Sequence, residues 1–217
     1  DESLVYAVGQ AIAEDCIKHD VAIILGPGVN LKRTPLCGRN FEYFSEDGVL
    51  AGKLAAAYIK GVQSKGIGTS LKHFAANNRE YDRFFQSSEI DERTLRETYC
   101  RAFEIALKAK PWTVMCSYNP VNGVYASENK HLLNDILRNE FGFDGVVVSD
   151  WGAVKHRAKS LKAGIDLAMP YSADYERQLA DWYEKGLIGE DDLDRSVGRL
   201  RELAEKYRSA VSLRTVT

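Results

Sequence analysis

The stretch GVVVSDWGAV, residues 145–154, decides the fold. Its three valines predict a short strand that is buried on both faces, because such strands read as continuous apolar runs rather than as alternating ones. Asp150 and Trp151 follow directly at the end of this run. A carboxylate is costly to bury without a partner or a task, so its position predicts a functional site at the C-terminal end of a buried strand.

Helical and strand patterns alternate on both sides of this stretch. Apolar residues recur at helical spacing over 4–12, 50–61, 91–106 and 127–137, near Leu161, and over 173–185 and 190–207. Between them, short apolar runs predict strands at VAIILGPGVN (21–30), GTSLKHF (68–74), WTVMCSY (112–118) and GIDLAMP (164–170). Strands that alternate with helices in this way predict parallel βα units.

Two parallel architectures fit such units. A doubly wound sheet needs a glycine-rich phosphate turn after its first strand, and GPGVN lacks the GxGxxG pattern. A barrel places its chemistry at the C-terminal ends of its strands, where polar residues recur in this sequence. We therefore predict an α/β fold of the (β/α)8 TIM-barrel type over residues 1–208, with a disordered tail over 209–217. A full barrel takes roughly 250 residues, so we expect a partial barrel of about five or six βα units that lacks its first strands.

Composition excludes several classes of function. The chain has 217 residues, a net charge of -2 and 45% hydrophobic residues, which predicts an ordinary globular domain with no nucleic-acid or membrane partner. None of the four cysteines has CxxC spacing, and the apolar neighbours of Cys16, Cys100 and Cys116 predict buried thiols. This cysteine usage favours a reducing compartment such as the cytoplasm, although a leader removed before Asp1 would allow secretion. Scattered histidines and the absence of an HExxH pattern predict no metal and no cofactor.

Asp150 and Trp151 each allow two interpretations. Asp150 is a candidate nucleophile, general base or metal ligand, or else the cap of a helix that begins at Ala153. Trp151 offers a flat apolar surface on which a sugar ring can pack, or else it belongs to the core. The pair together favours a sugar site.

Other candidates lie near the ends of the remaining strands or in loops. Lys72 and His73 could hold hydroxyl groups or a phosphate, or could belong to a solvated loop. Arg39 and Arg83 are candidate ligands, or else surface arginines paired with nearby acids such as Glu42. Tyr118 could donate its hydroxyl to a nucleophilic carboxylate, or could pack within its loop.

Five motifs, in this order and spacing, resemble glycoside hydrolase family 3, the β-glucosidase family. They are GPGVNLKRTPLCGRNFEYFSED (26–47), KHFAANN (72–78), MCSYNPVNG (115–123), VVSDWGA (147–153) and AGIDLAMP (163–170). The resemblance covers residues 1–207. It implies Asp150 as the catalytic nucleophile.

The resemblance implies further roles for the other candidates. The sugar-binding residues that it implies are Arg39, Lys72, His73, Arg83, Met115, Tyr118 and Trp151. The implied reaction is retaining hydrolysis of terminal β-glucosyl residues through a glycosyl-enzyme, with a second carboxyl group as acid and base. In the family that acid/base glutamate lies in a following sandwich domain, so the resemblance implies that it lies outside residues 1–217.

The sequence departs from one branch of the family and leaves others open. KHFAANNREYD lacks the KHFPG loop of the N-acetylglucosaminidases, whereas glucosidase, xylosidase and exo-glucanase branches all fit. Without the acid/base residue we expect weak activity, or a silent fragment or scaffold. Open barrel edges would favour a homo-oligomer or a complementing chain.

Overall fold

The computed structural model describes residues 1–214, with side chains through Ser212. Its α-helices are α1 Glu2–Lys18, α2 Gly48–Gln63, α3 Glu92–Thr94, α4 Arg101–Leu107, α5 Arg157–Ala163, α6 Ala173–Glu184 and α7 Glu190–Arg214. Its strands are β1 Ile23–Ile24, β2 Gly68–Phe74, β3 Thr113–Cys116, β4 Pro120–Val121, β5 Val124–Tyr125 and β6 Val146–Val148. Leu95–Tyr99 and His131–Glu140 are π-helical, and Ala126–Glu128 is a 3₁₀ turn. None of the described helices is long and apolar enough to cross a membrane.

The main sheet is parallel, with the order β1-β2-β3-β6. Ile23 pairs with Gly68, Ser70 with Thr113, and Thr113 with Val146. Each crossover between these strands contains a helical segment, as the sequence pattern predicts. All four C-terminal ends therefore lie at one edge of the sheet, and the loops that follow them share that edge.

The two faces of the sheet pack against different helices. Val114 and Val147 belong to the large core that α2, α4 and the π-helical segments cover. Met115, Val146 and Val148 point to the other face and pack against Met169 and against Leu200 and Leu203 of α7. Burial on both faces is what the valine run predicts.

The fifth predicted strand, residues 164–170, is reduced to a single parallel bridge between Val148 and Leu167. The buried Asp166 explains this, because its carboxylate accepts the Val147 N–H at 2.8 Å in place of a backbone carbonyl. The same carboxylate pairs with Arg138 at 2.8 Å and Arg199 at 2.9 Å. A side chain thus replaces part of the strand ladder and ties α7 to the sheet.

The first predicted strand is also shorter than its apolar run. β1 ends at Ile24, and the pairing resumes with a bridge between Gly28 and Lys72. Pro27, which has no N–H to donate, lies in the interruption.

The predicted tail begins inside a helix. α7 continues across residue 208 to Arg214, so the prediction of a disordered tail is wrong for 209–214, and residues 215–217 lie outside the described part of the chain. Contacts such as that of the Lys206 ammonium, 5.1 Å from the centre of the Trp112 ring, hold the second half of α7 against the protein.

Candidate active site

Asp150 lies at the end of β6, where its two carboxylate oxygens have different surroundings. Oδ1 accepts the Tyr118 hydroxyl at 2.8 Å and the Trp151 N–H at 2.7 Å. Oδ2 has no hydrogen bond within the described residues and lies 3.4 Å from Nε2 of His73. The residue is only 9% exposed. One oxygen is therefore fixed while the other is left to react or to bind.

The alternative role of Asp150 as a helix cap is wrong. No helix begins at Ala153, and α5 starts only at Arg157 with His156 as its cap. Burial and the hydrogen bond to Asp150 raise the pKa of Tyr118, so that its hydroxyl keeps the proton that it donates to the carboxylate.

His73 is buried beneath Asp150 and held by residues of the preceding loop. The Asn30 side chain accepts the His73 N–H at 2.8 Å and donates to the His73 carbonyl at 2.9 Å. The Tyr43 hydroxyl lies 3.3 Å from Nδ1 of the ring. Nδ1 also lies 3.3 Å from Oδ1 of Asn30, which can only accept, whereas the Tyr43 hydroxyl can either donate or accept, so these contacts allow a proton on either ring nitrogen.

The imidazole of His73 is neutral at ordinary pH. Burial holds its pKa well below the usual value, and the positive charges of Arg39, Lys72 and Arg83 lower it further. His73 can therefore orient the carboxylate or bind a hydroxyl group, but it brings no positive charge of its own.

Acid should destabilise the parent chain more than a His73→Gln variant. In the unfolded chain the imidazole gains a proton below about pH 6.5, whereas the folded chain keeps it neutral, so stability falls as the pH drops through that value. The extra slope is at most about 1.4 kcal/mol per pH unit. Urea unfolding at about pH 7.5 and about pH 5.5 measures it. An equal loss of stability in the two proteins would contradict the neutral imidazole.

Glu42 joins two of the cationic candidates. Its carboxylate accepts from Nε of Arg39 and lies 3.1 Å from Nζ of Lys72. All three side chains are less than one-fifth exposed. Burial raises the pKa of Glu42, but the hydrogen bond from Arg39 and the charge of Lys72 outweigh it, so the pKa lies below its usual value. The alternative interpretation predicted that Arg39 pairs with Glu42 at the surface. The pairing is present, but the two side chains are partly buried.

Lys72 and His73 are neighbours in the sequence, yet both reach this site. Successive side chains of a regular strand point to opposite faces. The register of β2 against β3 shifts between Leu71 and Phe74, so the alternation is broken there. This irregularity allows the two residues to face the same mouth.

Arg83 stacks on the tyrosine that holds the nucleophile candidate. Its guanidinium carbon lies 4.5 Å from the centre of the Tyr118 ring, and its Nη1 pairs with Glu80 at 2.5 Å. The pairing with a nearby acid is again present, and again it is partly buried. Arg83 is therefore linked to Asp150 indirectly, because it packs on the tyrosine whose hydroxyl donates to the carboxylate.

Trp151 and Met115 lie in contrasting surroundings. Trp151 is 60% exposed, so the alternative of a core tryptophan is wrong and its ring lies open beside Asp150. Met115 is 2% exposed and packs with Val146 and Val148 below the mouth. A sugar-binding role for Met115 stays a prediction.

Sequence reasoning missed the partners that hold the site. Asn30 and Tyr43 fix His73, and Glu42 and Glu80 pair with the cations. Only Glu42 had a sequence signal, since it was weighed as an acid near Arg39. Among the described residues no cluster of His, Cys, Asp and Glu has the arrangement of a metal site.

Comparisons with known proteins show the family of this chain. The model of the glycosyl hydrolase family 3 N-terminal domain matches residues 1–203. Thermostable beta-glucosidase B of Acetivibrio thermocellus is 54% identical over 92% of this chain, which spans 27% of that protein. An exo-alpha-(1->6)-L-arabinopyranosidase of Bifidobacterium longum is 54% identical over 97% of the chain, which spans 28% of it.

A solved structure gives the same result for the fold. The GH3 beta-glucosidase of Bifidobacterium adolescentis superposes with a TM-score of 0.94 and 52% identity over 98% of this chain, which covers 32% of that protein. With the parallel sheet, this likeness confirms the predicted α/β fold as a partial barrel. The chain belongs to glycosyl hydrolase family 3, and it is part of the N-terminal domain of that family.

Proposed function

We propose that Asp150 is the nucleophile of a retaining β-glycosidase and that this chain carries the nucleophile half of its site. The observation that carries the proposal is the asymmetry of the carboxylate. Tyr118 and the Trp151 N–H hold Oδ1, whereas Oδ2 accepts no hydrogen bond from the residues that the structure describes. A carboxylate fixed through one oxygen presents the other in a defined direction.

In the proposed reaction Oδ2 of Asp150 attacks the anomeric carbon and forms an ester bond to the sugar. The glycosidic bond breaks, and its electron pair leaves with the aglycone oxygen, which needs a proton. Water then attacks the same carbon, releases the sugar and restores the carboxylate, so the configuration is retained. The proton donor and the later base belong to a second carboxyl group that, by the family resemblance, lies outside this chain.

The remaining candidates would bind the sugar in the half-site. Arg39, Lys72 and Arg83 can donate to hydroxyl oxygens, and Nε2 of the neutral His73 can donate to or accept from a hydroxyl group, according to its tautomer. The exposed ring of Trp151 supplies an apolar wall for the C–H face of a sugar. Met115 would support this pocket from below.

The sugar has two candidates. One group of relatives is named for β-glucosides, and another of equal identity for an α-L-arabinopyranoside. Both sugars carry an equatorial bond at the anomeric carbon, so one nucleophile can serve both. They differ in the hydroxymethyl group, which arabinopyranose lacks, and in the C4 hydroxyl, which is equatorial in glucose and axial in arabinopyranose.

Covalent labelling tests the proposal. The chain is incubated with a 2-fluoro-β-D-glucoside and separately with a 2-fluoro-α-L-arabinopyranoside, each bearing a dinitrophenyl leaving group, and its intact mass is measured. We expect a gain of one fluoroglycosyl unit, located on the peptide that contains Asp150 and absent from an Asp150→Asn variant. The sugar that labels faster identifies the substrate class.

A folded chain that takes up no label would contradict the nucleophile assignment for this chain and would favour a catalytically silent scaffold. Light scattering on the same samples shows whether labelling belongs to a monomer or to an assembly. An assembly is favoured by β1, which lies at one end of the described sheet with only β2 beside it. A homo-oligomer or a complementing chain would cover that edge.

A further inference from the structure

The ammonium group of Lys155 lies close to three aromatic rings on the rim of the candidate site. Its ammonium nitrogen is 5.6 Å from the ring centre of Phe84, 5.4 Å from that of Phe85 and 5.3 Å from that of Tyr125. We propose that Lys155 is a positioning residue, a cationic clasp that holds Phe84 against Tyr118 and thereby fixes the hydroxyl that orients Asp150.

The clasp joins three loops that are distant in the sequence. Lys155 belongs to the loop after β6, Phe84 and Phe85 to the loop after β2, and Tyr125 to the hairpin after β3. The same three loops carry the nucleophile candidate, Arg83 and Tyr118. A contact that spans all of them controls their separation at the mouth of the site.

Phe84 connects Lys155 to Tyr118, because its ring contacts both side chains. Its ring lies 4.6 Å from the ring of Tyr118, whose hydroxyl donates to Oδ1 of Asp150 at 2.8 Å. The Arg83 guanidinium lies 5.2 Å from the Phe84 ring and 4.5 Å from that of Tyr118. Two cations therefore contact this pair of rings. Arg83 packs on both rings, and Lys155 packs on the ring of Phe84.

The interactions of Lys155 differ from those of an ordinary surface lysine. In the described part of the chain its ammonium forms no ion pair, whereas three rings lie within the distance at which a cation is attracted to an aromatic face. Each such contact is weak at an exposed position, but three of them act on one group. Arginine can replace lysine in this role, because its guanidinium also stacks on rings.

The test compares Lys155→Met, Lys155→Arg and the control Lys159→Met, which removes an exposed lysine of α5. Hydrogen exchange reports the clasp directly. We expect peptides that cover residues 79–89 and 118–126 to exchange about three- to tenfold faster in Lys155→Met, and at the parental rate in the other two. Equal exchange in Lys155→Met and the parent would overturn the clasp.

Labelling with the 2-fluoroglycoside tests the effect on Asp150 and rests on the proposed function. Because the clasp acts through Tyr118 on the nucleophile, the maximal labelling rate of Lys155→Met should fall about three- to tenfold while the half-saturating concentration stays the same. Lys155→Arg should restore the rate. A rise in the half-saturating concentration alone, or an equal loss in Lys155→Arg, would contradict the positioning role. If the parent takes up no label, the proposed function fails, and the exchange data still decide on the clasp.

Discussion

A glycoside whose leaving group needs no proton should react with this chain far faster than one whose leaving group does. In enzymes that have both carboxyl groups, dinitrophenyl glycosides already react faster than phenyl or alkyl glycosides. For this chain we expect the ratio of the two glycosylation rates to be larger by a further factor of about 10²–10⁴, since general acid catalysis is worth this much. The measurement is the initial rate of glycosylation for a series of leaving groups, with the rate of Asp150→Asn subtracted.

The ion pairs of the mouth are the reason for this expectation. Glu42 is held ionised between Arg39 and Lys72, which keep its pKa below the usual value even though burial raises it. Glu80 is paired with Arg83. The Glu42 carboxylate, held in its ionised form, has no proton to give to a leaving oxygen.

A weak dependence on the leaving group would contradict this account. It would mean that a carboxyl group of this chain delivers the proton. Glu42→Gln and Glu80→Gln variants, tested on the phenyl glycoside, would then show which of the two is the acid. Loss of activity in one of them, restored with the dinitrophenyl substrate, would identify it.

The alternation of strands and helices could be predicted because each of these elements depends on residues that are close together in the sequence. The valine run before Asp150 had to be buried on both faces, so each face of the sheet needs helices packed against it. Asp91 caps the helix that begins at Glu92, and its side chain accepts the Thr94 N–H at 3.0 Å, a contact between residues that are close in the sequence. The place of Asp150 at a strand end followed from the same pattern.

The parts of the site that could not be predicted depend on pairings between distant loops. The contact between Glu42 and Lys72 requires the register shift in β2, and no periodicity in the sequence reports such a shift. The hydrogen bonds of Asn30 to His73 join residues that are 43 positions apart. The fifth strand was overestimated because the pattern does not show that the Asp166 side chain replaces its ladder.

Replacing Glu42 by Gln should weaken both the site and the fold. The variant keeps the size of the side chain but removes the charge that holds two partly buried cations together. Arg39 and Lys72 then repel one another and leave their positions, and a displacement of about 1 Å can cost about 10²-fold in rate. We expect the second-order rate constant of fluoroglycoside labelling to fall about 10- to 100-fold.

The same substitution should lower the free energy of unfolding by about 1.5–3 kcal/mol, the usual loss for a hydrogen bond to a charged group. Urea unfolding measures this loss, and Glu46→Gln is the matched control because Glu46 is an exposed glutamate of the same loop. If Glu42→Gln loses stability but labels as fast as the parent, the carboxylate supports the fold alone. If it labels slowly at full stability, the positions of Arg39 and Lys72 matter only to the bound sugar. A loss of both in Glu42→Gln, and of neither in Glu46→Gln, is the result that the observed ion triad requires.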